Sequence, residues 1–130
     1  AAIPNVFQPV SLIGRRYVDG GLVSPVPVMA AREMGADIVI AVDISAKPTG
    51  KASSGFLSLL DRSLNIMNLT ALNLELKQAD VVLRPAVLHI GAADFDERAS
   101  AIAEGEKVAK AMLPQVKAAI DNWVKRKRAA

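Results

Sequence analysis

The sequence predicts an α/β fold, in which helices cover both faces of a sheet of parallel strands. β-prone and helix-forming segments alternate along the chain, and residues 38–42 are aliphatic without a break. Such an unbroken run is typical of a strand buried on both faces, whereas a strand with one solvated face alternates. Hydrophobic residues make up 52% and charged residues 22% of the 130 positions, which is the composition of a single globular domain and not of a disordered chain.

The N-terminal part of the chain predicts two short strands followed by a turn. Residues 10–13 and 16–18 are β-prone and flank a Gly-Arg dipeptide, a pattern typical of a tight hairpin or of a strand that enters a loop. Asp19, Gly20 and Gly21 follow directly, and two adjacent glycines favour a turn because they accept positive φ and permit close approach of another backbone. We therefore expect Asp19 in a loop that comes directly after a strand.

A short helix and the best strand of the sequence come next. Residues 28–34 are helix-forming, Pro27 suits a first turn, and Gly35 stands where a left-handed residue would end the helix. Residues 37–44 place the aliphatic run between two aspartates and predict a central strand. Residues 45–55, which include Lys, Pro, Gly and Ser, predict a surface connection.

The rest of the chain predicts a helix, a strand and a last helix. Residues 56–78 are predicted to be a mostly buried helix, and 80–85 a short strand that Pro85 stops. The buried face of the first helix is predicted to hold Phe56, Leu60, Leu64, Met67, Ala71 and Leu74, and a polar stripe Asp61, Asn65, Asn68 and Glu75. In the last helix the predicted apolar face holds Ile102, Ala109, Met112, Leu113, Val116, Ile120 and Trp123. Asp94 or Asp96 is expected to cap it, and Pro114 to kink or restart it.

Composition excludes several classes of site. Without cysteine the chain has no disulfide or thiolate metal site, and its single histidine excludes a multi-histidine zinc site. The cluster of Asp94, Asp96 and Glu97 is explained by helix capping, so no metal is expected. Gly50 and Gly55 have the spacing of a phosphate loop, but no Lys-Ser/Thr pair follows, so no nucleotide cofactor is expected.

Charge and hydropathy restrict the partners. The net charge of +3 comes largely from residues 125–128, and no basic face extends along the chain, so nucleic acid is not an expected partner. The run Lys125-Arg126-Lys127-Arg128 is interpreted as a solvated helix end, although beside Trp123 it is also compatible with peripheral contact to an anionic membrane. The longest aliphatic stretch is too short to span a bilayer, and no signal peptide is recognised. The apolar start of the chain suggests a piece of a longer protein.

Asp19 is the strongest candidate for chemistry. In α/β sheets, sites form in loops beyond the carboxyl ends of strands, and Asp19 with Gly20 and Gly21 has that context. The alternative is an aspartate that only caps its own turn. No serine stands in a Gly-x-Ser-x-Gly elbow, so the chain contains no recognisable nucleophile. His89 is interpreted as a loop or core residue, and Asp43 is a secondary candidate at the end of a strand.

Three segments carry a resemblance to a known family: 2–10 (AIPNVFQPV), 17–28 (YVDGGLVSPVPV) and 32–43 (REMGADIVIAVD). Together with 79–85 (ADVVLRP) and the Asp-Phe pair before the last helix, they resemble the C-terminal half of bacterial patatin-like phospholipases. The resemblance covers almost all of residues 1–130. It implies that the chain is the C-terminal portion of one three-layer α/β/α domain.

The resemblance also implies lipid acyl hydrolysis by a Ser-Asp dyad that uses no histidine and no cofactor. The position that matches the family's aspartate is Asp19, and Gly20 and Gly21 form the adjoining loop. The family's serine elbow and glycine-rich oxyanion loop lie upstream of Ala1, so an upstream segment is an implied partner, with an acyl-ester lipid as substrate. Ser24 stands where relatives often carry Asn. Bacterial cytoplasm and cell envelope, and the oligomeric state, are left open.

Two further interpretations remain open at the level of sequence. Ile3, Val6, Phe7 and Leu22 are candidates for an acyl-chain wall, which ordinary core packing explains equally well. The rival to the hydrolase is a non-catalytic α/β module that acts in binding or assembly, with Asp19 as a plain turn residue.

Overall fold

The computed structural model describes residues 8–45, 56–90 and 94–129. These residues form short strands and three α-helices, joined by turns and loops. The strands are β1 (Val10–Leu12), β2 (Arg15–Tyr17), β3 (Ile40–Val42) and β4 (Val81–Leu83). The α-helices are α1 (Val28–Glu33), α2 (Phe56–Leu76) and α3 (Arg98–Ala129), and 3₁₀ helices span Gly20–Leu22 and Phe95–Glu97. The mixed α/β class predicted from the sequence is confirmed.

β1 and β2 form an antiparallel hairpin, as predicted, with Leu12 opposite Arg15. The two residues of its turn, Ile13 and Gly14, have φ of 49° and 70°, the double positive φ that matches the twist of a two-residue hairpin. The second strand begins one residue earlier than predicted. Within the described ranges this hairpin is a sheet of its own, so the expectation of one parallel sheet was wrong for these strands.

β3 and β4 are parallel neighbours joined through α2. Ile40 pairs with Val81 and Val42 with Leu83, and the Asp43 amide extends the ladder with a 2.8 Å bond to the Leu83 carbonyl. The parallel pairing predicted for the aliphatic run is therefore confirmed. Regular pairing covers only Ile40–Val42 of the strand predicted over 37–44.

The buried core lies between α1, α2 and one face of the β3–β4 pair. It consists of Val28, Val39, Ala41, Leu72 and Leu76, each at most 8% exposed. Ile40 and Val42 point to the other face and are 42% and 51% exposed, because alternate residues of a strand face opposite ways. The expectation that this strand is covered on both faces was wrong for the described residues.

The buried side of α2 differs from the predicted one. Leu72 and Leu76 are buried and Leu69 packs against them, whereas Met67 and Leu74 are 72% and 57% exposed. Leucines occur on several sides of this helix, so spacing alone could not select the face that meets the sheet. The side chains of Phe56, Leu60 and Leu64 lie outside the described residues.

α3 is one helix that continues through Pro114, so the predicted restart was wrong. Proline removes one backbone donor, but the carbonyl four residues earlier belongs to exposed Lys110 and can bond to water.

α3 contacts β4, and Val81, which is 5% exposed and outside the cluster against α2, faces away from Ala41. Ile102, Leu113 and Ile120 of the predicted apolar face are 41% or more exposed. Asp94 precedes the 3₁₀ helix Phe95–Glu97, which leads into α3, and makes no side-chain capping bond to it.

α1 ends as predicted, and Arg32 in its last turn ties the elements together. Gly35 adopts the left-handed φ of 94°, whereas Pro27 precedes the helix and does not lie in its first turn. The Arg32 guanidinium donates to the carbonyls of Ala36, Asp37 and Gln78 at 3.1, 2.7 and 3.1 Å.

Asp80 completes this connection. Its Oδ2 accepts from Arg32 Nη2 at 2.5 Å and from the Val39 amide at 2.8 Å. Partial burial would raise the pKa of Asp80, but the bonds from Val39 and Arg32 outweigh it and lower the pKa. One ion pair thus fixes the ends of α1 and α2 against the start of both parallel strands.

Replacing Asp80 by Asn is expected to reduce the free energy of unfolding by about 1 kcal/mol at pH 7, because the partly exposed charge pair with Arg32 is lost. Since folding lowers the pKa of Asp80, its stabilisation is present above the pKa of the unfolded state, about 3.9, and is lost as the pH falls through the folded value. Urea unfolding at pH 7 and at pH 3 measures both effects. Asp121→Asn, on exposed α3, is the matched control. Equal stability of Asp80→Asn and wild type at pH 7 would contradict this account.

Candidate functional site

Asp19 lies in the loop after β2, as the sequence predicts. It is the residue before the 3₁₀ helix Gly20–Leu22 and has extended backbone dihedrals of −62° and 128°. This conformation lets its side chain fold back over the first turn, as N-capping residues do.

The carboxylate of Asp19 bonds its own turn. Its Oδ1 accepts the Gly21 amide at 2.8 Å, and this bond lowers the pKa of Asp19 because it stabilises the charged form. The turn-capping contact weighed as an alternative from sequence is therefore present. It does not exclude a second role, since a carboxylate has about four acceptor positions on two oxygens.

Gly20 and Gly21 form their turn without the positive φ that two adjacent glycines permit. Neither has positive φ, and both belong to the 3₁₀ helix. A Cβ at Gly21 would lie 3.0 Å from Asp19 Oδ1, whereas a Cβ at Gly20 would have no atom within 4 Å. A side chain at position 21 would therefore displace the Asp19 oxygen by a few tenths of an ångström, whereas one at position 20 would meet open space.

Two polar side chains of α2 hold the Asp19 loop. Asn68 Nδ2 donates to the Gly21 carbonyl at 3.3 Å. Glu75 accepts the hydroxyl of Ser24 on Oε1 and the amide of Met29 on Oε2, the latter at 3.3 Å. Met29 is in the first turn of α1, where Pro27 offers no side-chain cap, so Glu75 supplies the missing acceptor.

Sequence reasoning placed Asn68 and Glu75 on a polar stripe but missed their partners. They are seven residues apart, or two helical turns and about 10 Å along the axis, which matches a loop that runs beside the helix. A pair of polar residues at this spacing on a leucine-rich helix was the available signal. The Ser24 hydroxyl bonds to a side chain of α2, and the Ser24 amide bonds to the Gly20 carbonyl of its own loop at 3.0 Å.

Asp43 is fixed at the carboxyl end of the parallel pair. Its Oδ2 accepts Arg84 Nε at 3.1 Å, and its Oδ1 accepts the Ser45 amide at 3.0 Å. Its side chain is 11% exposed; burial would raise the pKa, but the bonds from Ser45 and Arg84 lower it overall. These bonds connect the ends of the two strands. This structural role explains the position of Asp43 without a catalytic role.

Of the other predicted residues, Leu22 contacts Asp19 through its backbone, since its amide donates to the Asp19 carbonyl at 3.3 Å. His89 lies in an exposed turn after β4. Leu22 is partly exposed in the Asp19 loop, and Ile3, Val6 and Phe7 lie outside the described residues, as do Gly50 and Gly55. Lys125–Arg128 are exposed at the end of α3, with Lys127 Nζ 5.0 Å from the Trp123 ring.

Membrane-spanning helices and metal clusters are not found in the part of the chain that the structure describes. No described helix is both long and apolar enough to cross a bilayer. No group of three His, Asp or Glu side chains in residues 8–45, 56–90 and 94–129 is placed to hold a metal ion.

Comparison with known proteins gives a partial similarity. No protein-family model matches the chain. It is 33% identical over 66 residues to proteins described as uncharacterized NTE family proteins from Mycobacterium bovis and from two strains of Mycobacterium tuberculosis. The matched segment covers 51% of this chain and 18% of each relative, so the chain spans a minor part of the length of these proteins.

Replacing Gly21 by Ala is expected to raise the pKa of Asp19 toward its ordinary value, because the added Cβ displaces the carboxylate from the amide that stabilises its charge. Gly20→Ala is the matched control and leaves that pKa unchanged, since its Cβ meets open space. Titration of the Asp19 carboxyl carbon by NMR measures both. The same pKa of Asp19 in the two variants would show that the Gly21 bond does not lower it.

Proposed function

We propose that this chain supplies the aspartate of a Ser-Asp dyad in a patatin-like acyl hydrolase. The observation that carries the proposal is Asp19 itself: a carboxylate directly after a strand, held by the Gly21 amide in a loop that α2 fixes. The similarity to NTE family proteins supports it, since neuropathy target esterase belongs to the patatin-like phospholipases. The similarity supports only the broad patatin-like family, and the Ser-Asp dyad is our inference.

The state of Asp19 suits a general base. The carboxylate is ionised at neutral pH and can accept a proton, and the Gly21 bond that lowers its pKa also makes it a weaker base. The Gly21 amide occupies Oδ1 and restricts the side-chain rotamer, so that the carboxylate is oriented before substrate binds. Asn68 and Glu75 limit movement of the loop backbone.

The proposed reaction proceeds in two steps. Asp19 takes the serine proton as the serine oxygen attacks the ester carbonyl, and upstream backbone amides stabilise the oxyanion. Collapse of the tetrahedral intermediate breaks the ester bond, and the protonated Asp19 returns its proton to the departing alcohol. Water, deprotonated by the same carboxylate, then releases the fatty acid and regenerates the serine.

The serine and the oxyanion loop come from an upstream segment in this proposal, and the substrate is an acyl ester of a membrane lipid. That segment would complete a three-layer domain and cover the β3 face where Ile40 and Val42 are exposed. The rival is a non-catalytic binding module, in which the Asp19–Gly21 bond is only a cap.

Asp19→Asn in the complete gene product is expected to reduce hydrolysis of a p-nitrophenyl ester by about 10²- to 10⁴-fold, the range of general-base catalysis. Asn matches Asp in size and still accepts the Gly21 amide, so circular dichroism and Tm stay near wild type. Asp37→Asn, an exposed aspartate before β3, is the control and retains activity. Wild-type turnover by Asp19→Asn would favour the binding module.

The 130-residue chain alone is expected to show no esterase activity, since a base without its nucleophile retains only weak residual catalysis. Adding the upstream segment, in one polypeptide or in trans, restores it. The assay is p-nitrophenyl ester turnover at equal molar concentration. Hydrolysis by the isolated chain at rates typical of enzymes would refute the split site.

A further inference from the structure

The β1–β2 hairpin presents an exposed apolar face that the described residues leave uncovered. Val10, Leu12 and Tyr17 lie on one face, because Val10 pairs with Tyr17 and Leu12 is two residues further on. Their exposed fractions are 57%, 58% and 48%, and Ile13 at the tip is 91% exposed. This face runs from the base of the hairpin to its turn and also holds Arg15, which pairs with Leu12.

Ile13 is unfavourable in this position on two counts. Its φ of 49° lies in the left-handed region, where a β-branched residue is strained and where Asn or Gly is usual in a two-residue hairpin. Its side chain also exposes nearly all its apolar surface to water. No contact in the described chain compensates for either cost, which indicates a role for this side chain outside the packing seen here.

The charges of two arginines beside the tip indicate which kind of partner it binds. Arg15 lies opposite Leu12, Arg16 opposite Ser11, and both are exposed. In the part of the chain described, neither guanidinium forms an ion pair. A protein interface that buried Leu12 and Ile13 would have to neutralise both charges, whereas the surface of an anionic bilayer offers phosphates beside an apolar layer.

We infer that the hairpin is a membrane anchor: Leu12 and Ile13 enter the boundary between head groups and acyl chains of an anionic phospholipid surface, and Arg15 and Arg16 bind its phosphates. Tyr17, at the base, suits the polar interface with its amphipathic ring. Asp19 is four residues beyond Arg15, at most about 13 Å of extended chain. The inference rests on the proposed function, because it brings the acyl-hydrolase site to its lipid.

The basic end of α3 is the weaker candidate for this contact. The Lys127 ammonium lies over the Trp123 ring, and the charge of Arg126 contributes to lowering the pKa of Asp80. Cations in the last turn of a helix also stabilise its dipole. The charges of Arg126, Lys127 and Arg128 are therefore accounted for within the fold, whereas the strained apolar tip is not.

The test is co-sedimentation of the complete gene product with vesicles of phosphatidylcholine and phosphatidylglycerol, in an Asp19→Asn background that spares the lipid. Ile13→Asn is expected to reduce the partition coefficient at least about tenfold, from the loss of one buried aliphatic side chain. Without lipid, the same change raises Tm, because Asn relieves the strained turn. Met34→Asn replaces an apolar residue that is 89% exposed elsewhere and leaves partitioning unchanged.

Replacing both Arg15 and Arg16 by Gln is expected to abolish the preference for anionic over pure phosphatidylcholine vesicles. Unchanged partitioning of Ile13→Asn would overturn the anchor. A lower Tm or an altered oligomeric state of Ile13→Asn without lipid would also overturn it, since the tip would then pack against protein. With Asp19 intact, Ile13→Asn keeps wild-type turnover of a soluble p-nitrophenyl ester, so failure of the anchor is distinguished from failure of the hydrolase.

Discussion

The position of the Asp19 loop depends on the carboxylate of Glu75. It binds the Ser24 hydroxyl with one oxygen and the Met29 amide with the other, so that one side chain of α2 joins the end of the loop to the first turn of α1. Residues 23–27 contain two prolines and no helix or strand, and the amides of Val23 and Ser24 bond back to the Gly20 carbonyl at 3.0 Å. Asn68, two turns earlier, fixes the Gly21 carbonyl beside Asp19 in the same way.

These polar contacts matter because the core of the described residues is small. Leu72 and Leu76 seat α2 on β3 and α1, and Arg32 with Asp80 fixes the opposite end of the same elements. The order of dependence is therefore packing of α2 on the strands, then the polar bonds from α2 to the loop, then the Gly21 amide on Asp19. We therefore expect a change in α2 far from Asp19 to displace the carboxylate through Asn68 and Glu75.

Local features were predictable from the sequence because a few adjacent residues determine them. The hairpin, the left-handed Gly35 and the loop position of Asp19 follow from turn chemistry that acts over two to four residues. The buried side of α2 was not predictable, since leucines on several sides leave the choice to the partner strands. The prediction that both faces of β3 are covered was wrong for the described residues for a related reason. An aliphatic run shows that a strand can be buried, but it does not identify the neighbours that cover it. Ser24 and Glu75, which bond to each other, lie 51 residues apart in the sequence, and no local pattern connects them.

In the proposed function, the fixed and ionised Asp19 pairs with a nucleophile outside these 130 residues. The most direct test is a crystal structure of the complete gene product after reaction with a serine-directed alkyl phosphonate. The account predicts a phosphonylated serine whose Oγ lies within hydrogen-bond distance of the Asp19 carboxylate, about 2.6 to 3.2 Å, or one bridging water away. An adduct on a serine remote from Asp19, with the aspartate bonded only to its own turn, would contradict the account.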